Sequence, residues 1–297
     1  MKLQGQTVVI TGAASGMGRA LCFSLGRLGA SLGLVDRNEE GARALAEELG
    51  LEGIRSHWAV ADVRRQHEVE DAIGTVTAQL GGRVDVLVAS AGILKMSKPD
   101  QMQVAEVEEI LQVNFFGVVY AIDAVLPDML KRQRGHIVGM ASLAASRGIP
   151  YEAAYGASKA ALGNYLESLR PRLRQRGVAV TTVYPGFVRT PLLAGCVADL
   201  QLRSPLVRLL LRLFGPGPVL GVVEPEAAAH KITSAILRRR RVVAFPLSTR
   251  LLTRLGQRLP AAVYDWLMLR VAARIPLADR PPPEQPAPQP LASNCVS

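Results

Sequence analysis

The sequence predicts an α/β fold: a doubly wound parallel sheet with helices on both faces, forming a single domain with a C-terminal helical extension. Three observations predict it. Short apolar, β-rich runs alternate with segments of helical period. The intervening segments are long enough to cross back over a parallel sheet. A chain of 297 residues, 49% of them hydrophobic, can bury a core on both faces of such a sheet.

Thr7 to Thr11 reads as the first strand and Gly16 to Leu28 as the helix after it. Ser31 to Val35 and Glu39 to Leu49 repeat that unit, and a third strand ends ahead of Asp62, followed by a helix over Glu68 to Leu80. Val84 to Ala89 is the fourth strand, Ala105 to Leu130 a long helix with a break, and His136 to Met140 the fifth strand. Ala153 to Arg174 is helical and Ala179 to Tyr184 is the sixth strand. Pro225, suited to a first turn, opens a helix to Leu237, and Val242 to Phe245 closes the sheet. This domain spans 1–246 and includes a leucine-rich substrate lid around 192–218. Residues 247–276, interrupted by Pro260, form a basic amphipathic extension, and 277–297 form a proline-rich tail expected to be disordered.

The net charge of +10 is unevenly placed: Leu200 to Arg280 holds 14 Lys/Arg against 4 Asp/Glu, which equals the whole excess. No recognition motif accompanies that charge, so no nucleic-acid partner is expected. Arg250, Arg254 and Arg258 at four-residue spacing, then Arg270 and Arg274, alternate with apolar residues. The pattern is compatible with peripheral contact with an anionic membrane; its rival is a solvated face on a helix packed on the sheet or on a second subunit. Arginines interrupt each leucine-rich stretch, so no spanning helix is expected. The first strand begins at Thr7, leaving no room before it for a secretory leader. Cys22, Cys196 and Cys295 are too far apart for a metal pair and odd in number, which points to a reducing compartment. A cytoplasmic location follows, with a membrane surface as a candidate neighbour. The four histidines lack ligand spacing, so no metal is assigned, and Trp58 and Trp266 read as packing residues.

The first strand runs directly into Thr11-Gly12-Ala13-Ala14-Ser15-Gly16-Met17-Gly18 and then a helix. Glycines allow a tight turn and close backbone approach to a pyrophosphate, while the N–H groups at the helix start favour the anion. Asp36 ends the second strand, where a carboxylate can accept from both ribose hydroxyls of an adenosine half. It would repel a 2′-phosphate, which favours NAD over NADP, although Arg37 beside it could bind that phosphate. Tyr155 and Lys159 lie four residues apart in a helical stretch and so share a face. A phenol is a poor base at neutral pH, and an adjacent ammonium stabilises its phenolate.

Together the Thr11–Gly18 loop, Ala89-Ser90-Ala91-Gly92, Asn114, Ser142, the Tyr155/Lys159 pair and Pro185-Gly186 resemble a short-chain dehydrogenase/reductase, in order and spacing, from about Gly5 to Thr190. The resemblance implies a Rossmann fold and an oxidoreductase that moves a hydride between NAD or NADP and an alcohol or ketone. It implies that Tyr155 exchanges the proton, Ser142 hydrogen-bonds the same substrate oxygen, Lys159 holds the nicotinamide ribose, and Asn114 positions a water in a proton relay. Gly12, Ser15, Gly16, Met17 and Gly18 would seat the pyrophosphate, Asp36 and Arg37 the ribose, and Asp62 and Val63 the adenine. Ala91 and Gly92 would approach the adenosine ribose, and Pro185, Gly186, Val188 and Thr190 would receive the carboxamide. A homo-oligomer is common among look-alikes. Leu94, Leu143, Ile149, Tyr151 and Phe187 suggest a lipophilic substrate. The sequence departs from the family in having Ala89-Ser90 where Asn-Asn is common, and in the extension beyond Phe245. A cofactor-binding regulator without turnover is the alternative, against which the complete Ser142, Tyr155 and Lys159 set argues.

Overall fold

The computed structural model describes residues 3–192 and 222–273. The expected lid, beyond Leu192, and the tail at 277–297 lie outside the described residues. The elements run β1 (Thr7–Thr11), α1 (Gly16–Gly26), β2 (Ser31–Asp36), α2 (Glu39–Leu51), β3 (Ser56–Val60), α3 (Gln66–Gln79) and β4 (Val86–Ala89). They continue with α4 (Val104–Leu111), α5 (Gly117–Lys131), β5 (Gly135–Met140), α6 (Ala153–Gln175), β6 (Val178–Pro185), α7 (Pro225–Leu237) and β7 (Val242–Phe245). Two further helices, α8 (Leu247–Arg258) and α9 (Ala261–Ala272), flank Pro260.

Seven parallel strands form one sheet in the order β3-β2-β1-β4-β5-β6-β7. Successive residues of each strand point to opposite faces, so each strand feeds two cores. Val8 and Ile10 pack with α1, α2 and α7 through Leu21, Leu25, Leu45, Leu49 and Ile232. Val9 packs with α3, α5 and α6 through Ile73, Val76, Ile122, Val125 and Leu166. Burial on both faces is why the central strands read as unbroken apolar runs.

The chain leaves β1 toward β2 and β3, then returns to β4 on the other side of β1. That reversal opens a crevice beyond the carboxyl ends of β1 and β4, the place where such sheets take ligands. The expected break in the long helix is a π turn over Gln112–Phe116, so α4 and α5 are continuous through it. One helix among those described, Val104–Lys131, is long and apolar enough to cross a membrane by length and composition, a test that a buried core helix also passes. Its few charges lower the mean hydropathy without cancelling it. Val118, Ala121, Ile122, Val125 and Met129 bury its inner face in the core.

Candidate active site

Two glycines shape the cofactor end. Gly12 has φ +68°, and a Cβ there would sit 2.7 Å from Ala91 Cα, so the β1 and β4 loops meet backbone to backbone. A Cβ on Gly18 would lie 2.0 Å from Gly12 O, so only glycine lets α1 start this close under the turn. Where the family commonly has asparagine, the two loops are tied instead by Thr11: its carbonyl accepts from Ser90 N at 3.1 Å and its hydroxyl from Ala91 N at 3.5 Å.

A groove at this point is lined by Gly12, Ser15, Gly16, Met17, Gly18, Asp36 and Arg37 from the β1 and β2 ends. Asp62, Val63, Ala91, Gly92 and Thr190 complete the expected set there, joined by Ala61, Ser90, Ile93, Val113, Pro191 and Leu192. Asp36 is pinned by backbone: Oδ2 accepts from Ala14 N at 2.9 Å and Oδ1 from Asn38 N at 3.0 Å. Its charge is therefore held at the rim of the glycine loop. Asp62 is clamped by Arg64, whose Nε and Nη2 lie 2.8 and 2.5 Å from Oδ2. That ion pair holds the carboxyl below the usual range, with a smaller contribution from Arg37.

The second cluster sits where β5 and α6 approach the groove. Lys159 is 4% exposed, and its Nζ donates to Met140 O at 2.8 Å. Removal from water lowers its pKa to about 8. Nζ lies 5.8 Å from the centre of the Tyr155 ring, which confirms that the two side chains share a face of α6. Ser142 Oγ accepts from Ala144 N at 3.1 Å, which leaves its hydroxyl proton to donate elsewhere. Asn114 is fully buried within the π turn. Its Oδ1 accepts from Ile93 N at 2.8 Å, and its Nδ2 donates to Ile93 O at 2.9 Å and Ser158 Oγ at 3.0 Å. Ser158 donates in turn to Tyr155 O at 2.7 Å, so the β4 loop is fastened to the turn that carries Tyr155.

Gly92 joins the two clusters: a Cβ on it would stand 3.2 Å from Asn114 Oδ1 and 3.4 Å from Lys159 Nζ. Gly92 thus lies between the groove and Lys159, while Asn114, Ser142, Tyr155 and Lys159 themselves stand outside the groove's lining. The chain also matches the short chain dehydrogenase family over residues 6–201. It belongs to the short-chain dehydrogenase/reductase family. Among the relatives of this oxidoreductase, an uncharacterized oxidoreductase of Myxococcus xanthus is 33% identical over 260 residues, covering 88% of this chain and 95% of its own. Dehydrogenase/reductase SDR family member 7B of Xenopus tropicalis is 32% identical, covering 80% of this chain and 76% of its own. The crystal structure of levodione reductase has a TM-score of 0.72 at 26% identity, over 82% of this chain and 96% of that one. Its relatives share the Rossmann fold and use NAD or NADP.

Not every expected residue of this short-chain dehydrogenase/reductase faces the groove. Pro185 and Gly186 end β6, with Gly186 N donating to Phe245 O at 2.8 Å. Val188 pairs with Val223 and its side chain is buried in the core, which leaves only its backbone for any contact with a ligand. Sequence reasoning missed the Arg64 clamp, the Met140 carbonyl and Ser158; the last lay within the Tyr155–Lys159 segment and was passed over. It also missed Glu152, one turn before Tyr155, whose carboxyl burial pushes up to about 7. Trp266 is a correction: it is 53% exposed with the Arg270 guanidinium 3.9 Å above its ring, because α9 turns that face outward.

Proposed function

We propose that the protein is a cytoplasmic, NAD-preferring dehydrogenase/reductase acting on lipophilic secondary alcohols or ketones, with Tyr155 as the proton-transferring residue. The observation that carries this reading is the position of Gly92, which lines the groove over the glycine turn and backs onto the buried Lys159 beside Tyr155. The residues fit a nicotinamide dinucleotide: the groove is lined by the glycine turn at the start of α1, whose N–H groups favour a pyrophosphate, with the Asp36 carboxylate at its rim. When bound, that group would accept or supply the hydride.

The chain's own residues do the rest. Ser142, already accepting from Ala144 N, directs its hydroxyl proton at the substrate oxygen. Tyr155 takes the proton of an alcohol or returns it to a ketone, and the Lys159 ammonium stabilises the phenolate. One N–H of Lys159 is held by Met140 O, which leaves the others for the ribose hydroxyls. Asn114, held by its bonds to Ile93 and Ser158 and next to Gly92 and Lys159, would position a water linking Lys159 to solvent. The anchored Asp36 charge supports NAD by repelling a 2′-phosphate. The uncharged side chains of Leu143, Ile149, Tyr151 and Phe187, in the segments that follow β5 and β6, support a lipophilic substrate.

A panel of steroids, retinoids, aliphatic alcohols and acyl ketones, assayed by nicotinamide absorbance with NAD and NADP, tests the reading. Turnover of lipophilic members, faster with NAD, is expected. Dinucleotide binding with no turnover across the panel would overturn it.

A further inference from the structure

The helices α8 and α9 have two faces with different business. One is fastened to the loop between Ser142 and Tyr155. Tyr264 Oη donates to Gly148 O at 2.5 Å, and the Arg147 guanidinium lies 3.7 Å from the centre of its ring. Arg147 also donates to Leu259 O at 3.0 Å, Gln257 Nε2 to Ser146 O at 3.3 Å, and Tyr151 Oη to Ala272 O at 3.3 Å. Tyr264, Met268 and Ala272, four residues apart, are the partly buried row of α9. Tyr151 has φ +68°, a strained backbone for a tyrosine, so the loop is held in a shape it would not adopt alone.

The other face is exposed among the described residues. On α8, Leu247, Leu251 and Leu255 form a single row, with Leu251 56% and Leu255 61% exposed. On α9, Val263, Trp266, Leu267 and Arg270 fall at i, i+3, i+4 and i+7 and are all exposed. Half of the large exposed apolar side chains among the described residues lie on these two helices. A row of guanidiniums accompanies them: Arg250 and Arg254 each precede a leucine of the row, Arg258 follows, and Arg270 stacks on Trp266. Between 247 and 273 the single acidic residue is Asp265.

We propose that this outer face of α8 and α9 docks on an anionic bilayer surface and thereby seats the substrate loop of the active site against lipid. Charge decides between lipid and a second copy of the chain. A self-contact of this face would press the exposed Arg254, Arg258 and Arg270 against their copies with only Asp265 to offset them, whereas anionic headgroups neutralise these three. The side-chain types also suit the interface: leucines enter the acyl boundary, arginine stems lie along them with their heads at the phosphates, and Trp266 sits at headgroup depth. Because the inner face grips Ser146 to Tyr151, a lipophilic substrate dissolved in the bilayer would meet the site beside the lipid. This consequence rests on the reading of Ser142 and Tyr155 given above.

The test uses the full chain with phosphatidylcholine vesicles, with and without phosphatidylserine. Co-sedimentation with the phosphatidylserine vesicles is expected, lost at high salt, with a blue shift in fluorescence that Trp266→Phe removes. The Arg254→Gln/Arg258→Gln pair should weaken partitioning by roughly 25-fold, about fivefold per arginine. Leu251→Ser/Leu255→Ser should weaken it as well. Turnover of a water-soluble ketone, measured on the same samples, should be unchanged in both pairs. Absence of pelleting at low salt, or equal pelleting of the arginine pair, overturns the docking. So does a smaller oligomer in the leucine pair by analytical ultracentrifugation, which would make the face a contact between copies. Absence of ketone turnover by the wild-type chain with vesicle binding intact would instead strike the enzymatic reading alone.

Discussion

Lys159 gives the catalytic cluster a measurable signature in stability. Its ammonium is buried against one neutral acceptor, the Met140 carbonyl, and burial lowers its pKa from 10.5 to about 8. The difference, 10.5 − 8 = 2.5, corresponds at 1.36 kcal/mol per unit to about 3 kcal/mol. An unfolded lysine keeps its proton up to its ordinary pKa, while the folded one releases it near the lowered value. Between those values the unfolded state binds more protons, so stability rises with pH across the window and the full penalty is present below it. Lys159→Met keeps most of the stem and removes the charge. It also removes one hydrogen bond worth about 1 kcal/mol, so the variant should be more stable by about 2 kcal/mol at neutral pH, yet inactive. Urea unfolding of both proteins across the alkaline range isolates this site, because other groups titrate equally in each. The wild-type minus variant difference should climb by about 3 kcal/mol as pH rises through the window. A flat difference would refute the burial argument.

Other consequences are accessible to similar measurements. His136 is buried on Thr181 Oγ1 at 2.8 Å, and burial, aided by Arg239, lowers its pKa to about 4. It stays neutral in the fold while the unfolded chain takes up a proton below about 6.5, so stability should fall by about 3 kcal/mol between there and pH 4; His136→Gln should flatten that limb of the acid unfolding curve. Gly18→Ala places a Cβ against Gly12 O and should cost at least about 1–3 kcal/mol in urea unfolding, along with dinucleotide affinity. Gly50→Ala, with nothing within 4 Å, should instead stabilise α2 by about 0.5–1 kcal/mol, and equal effects would undo the packing argument. Asp36→Ala should move the kcat/KM ratio roughly tenfold or more toward NADP; an unmoved ratio would mean that the carboxylate does not read the ribose.

The sheet was legible because burial on both faces writes each central strand as a continuous apolar run, as in Val8 to Ile10 and Val86 to Val88. The edge strand β3 lacked that signature: Ser56 to Ala59 are only partly buried and Val60 is exposed, so polar His57 is tolerated and no apolar run forms. The π turn was visible only as a break, since Asn114-Phe115-Phe116 carries no local signal for a wider turn. At the site, the glycine loop and the Tyr155/Lys159 pair were legible because their chemistry depends on spacing within one segment. The Asn114 bonds to Ile93 and Ser158, and the seat of Lys159 on Met140, join segments far apart in the chain and could not be read from either one. The outward turn of Trp266 was hidden for a related reason: α9 has apolar residues on every side, with Asp265 and Arg270 its only charges, and periodicity alone does not say which side meets the loop at Gly148.

The central claim is that the Tyr155 hydroxyl exchanges a proton with substrate beside a seated dinucleotide. Tyr155→Phe removes that one oxygen and keeps the ring that packs at the start of α6. Measured together on a substrate from the panel, turnover should fall by about 10²–10⁴-fold while the dinucleotide Kd stays within a few-fold of wild type. Turnover at the wild-type level would contradict the account.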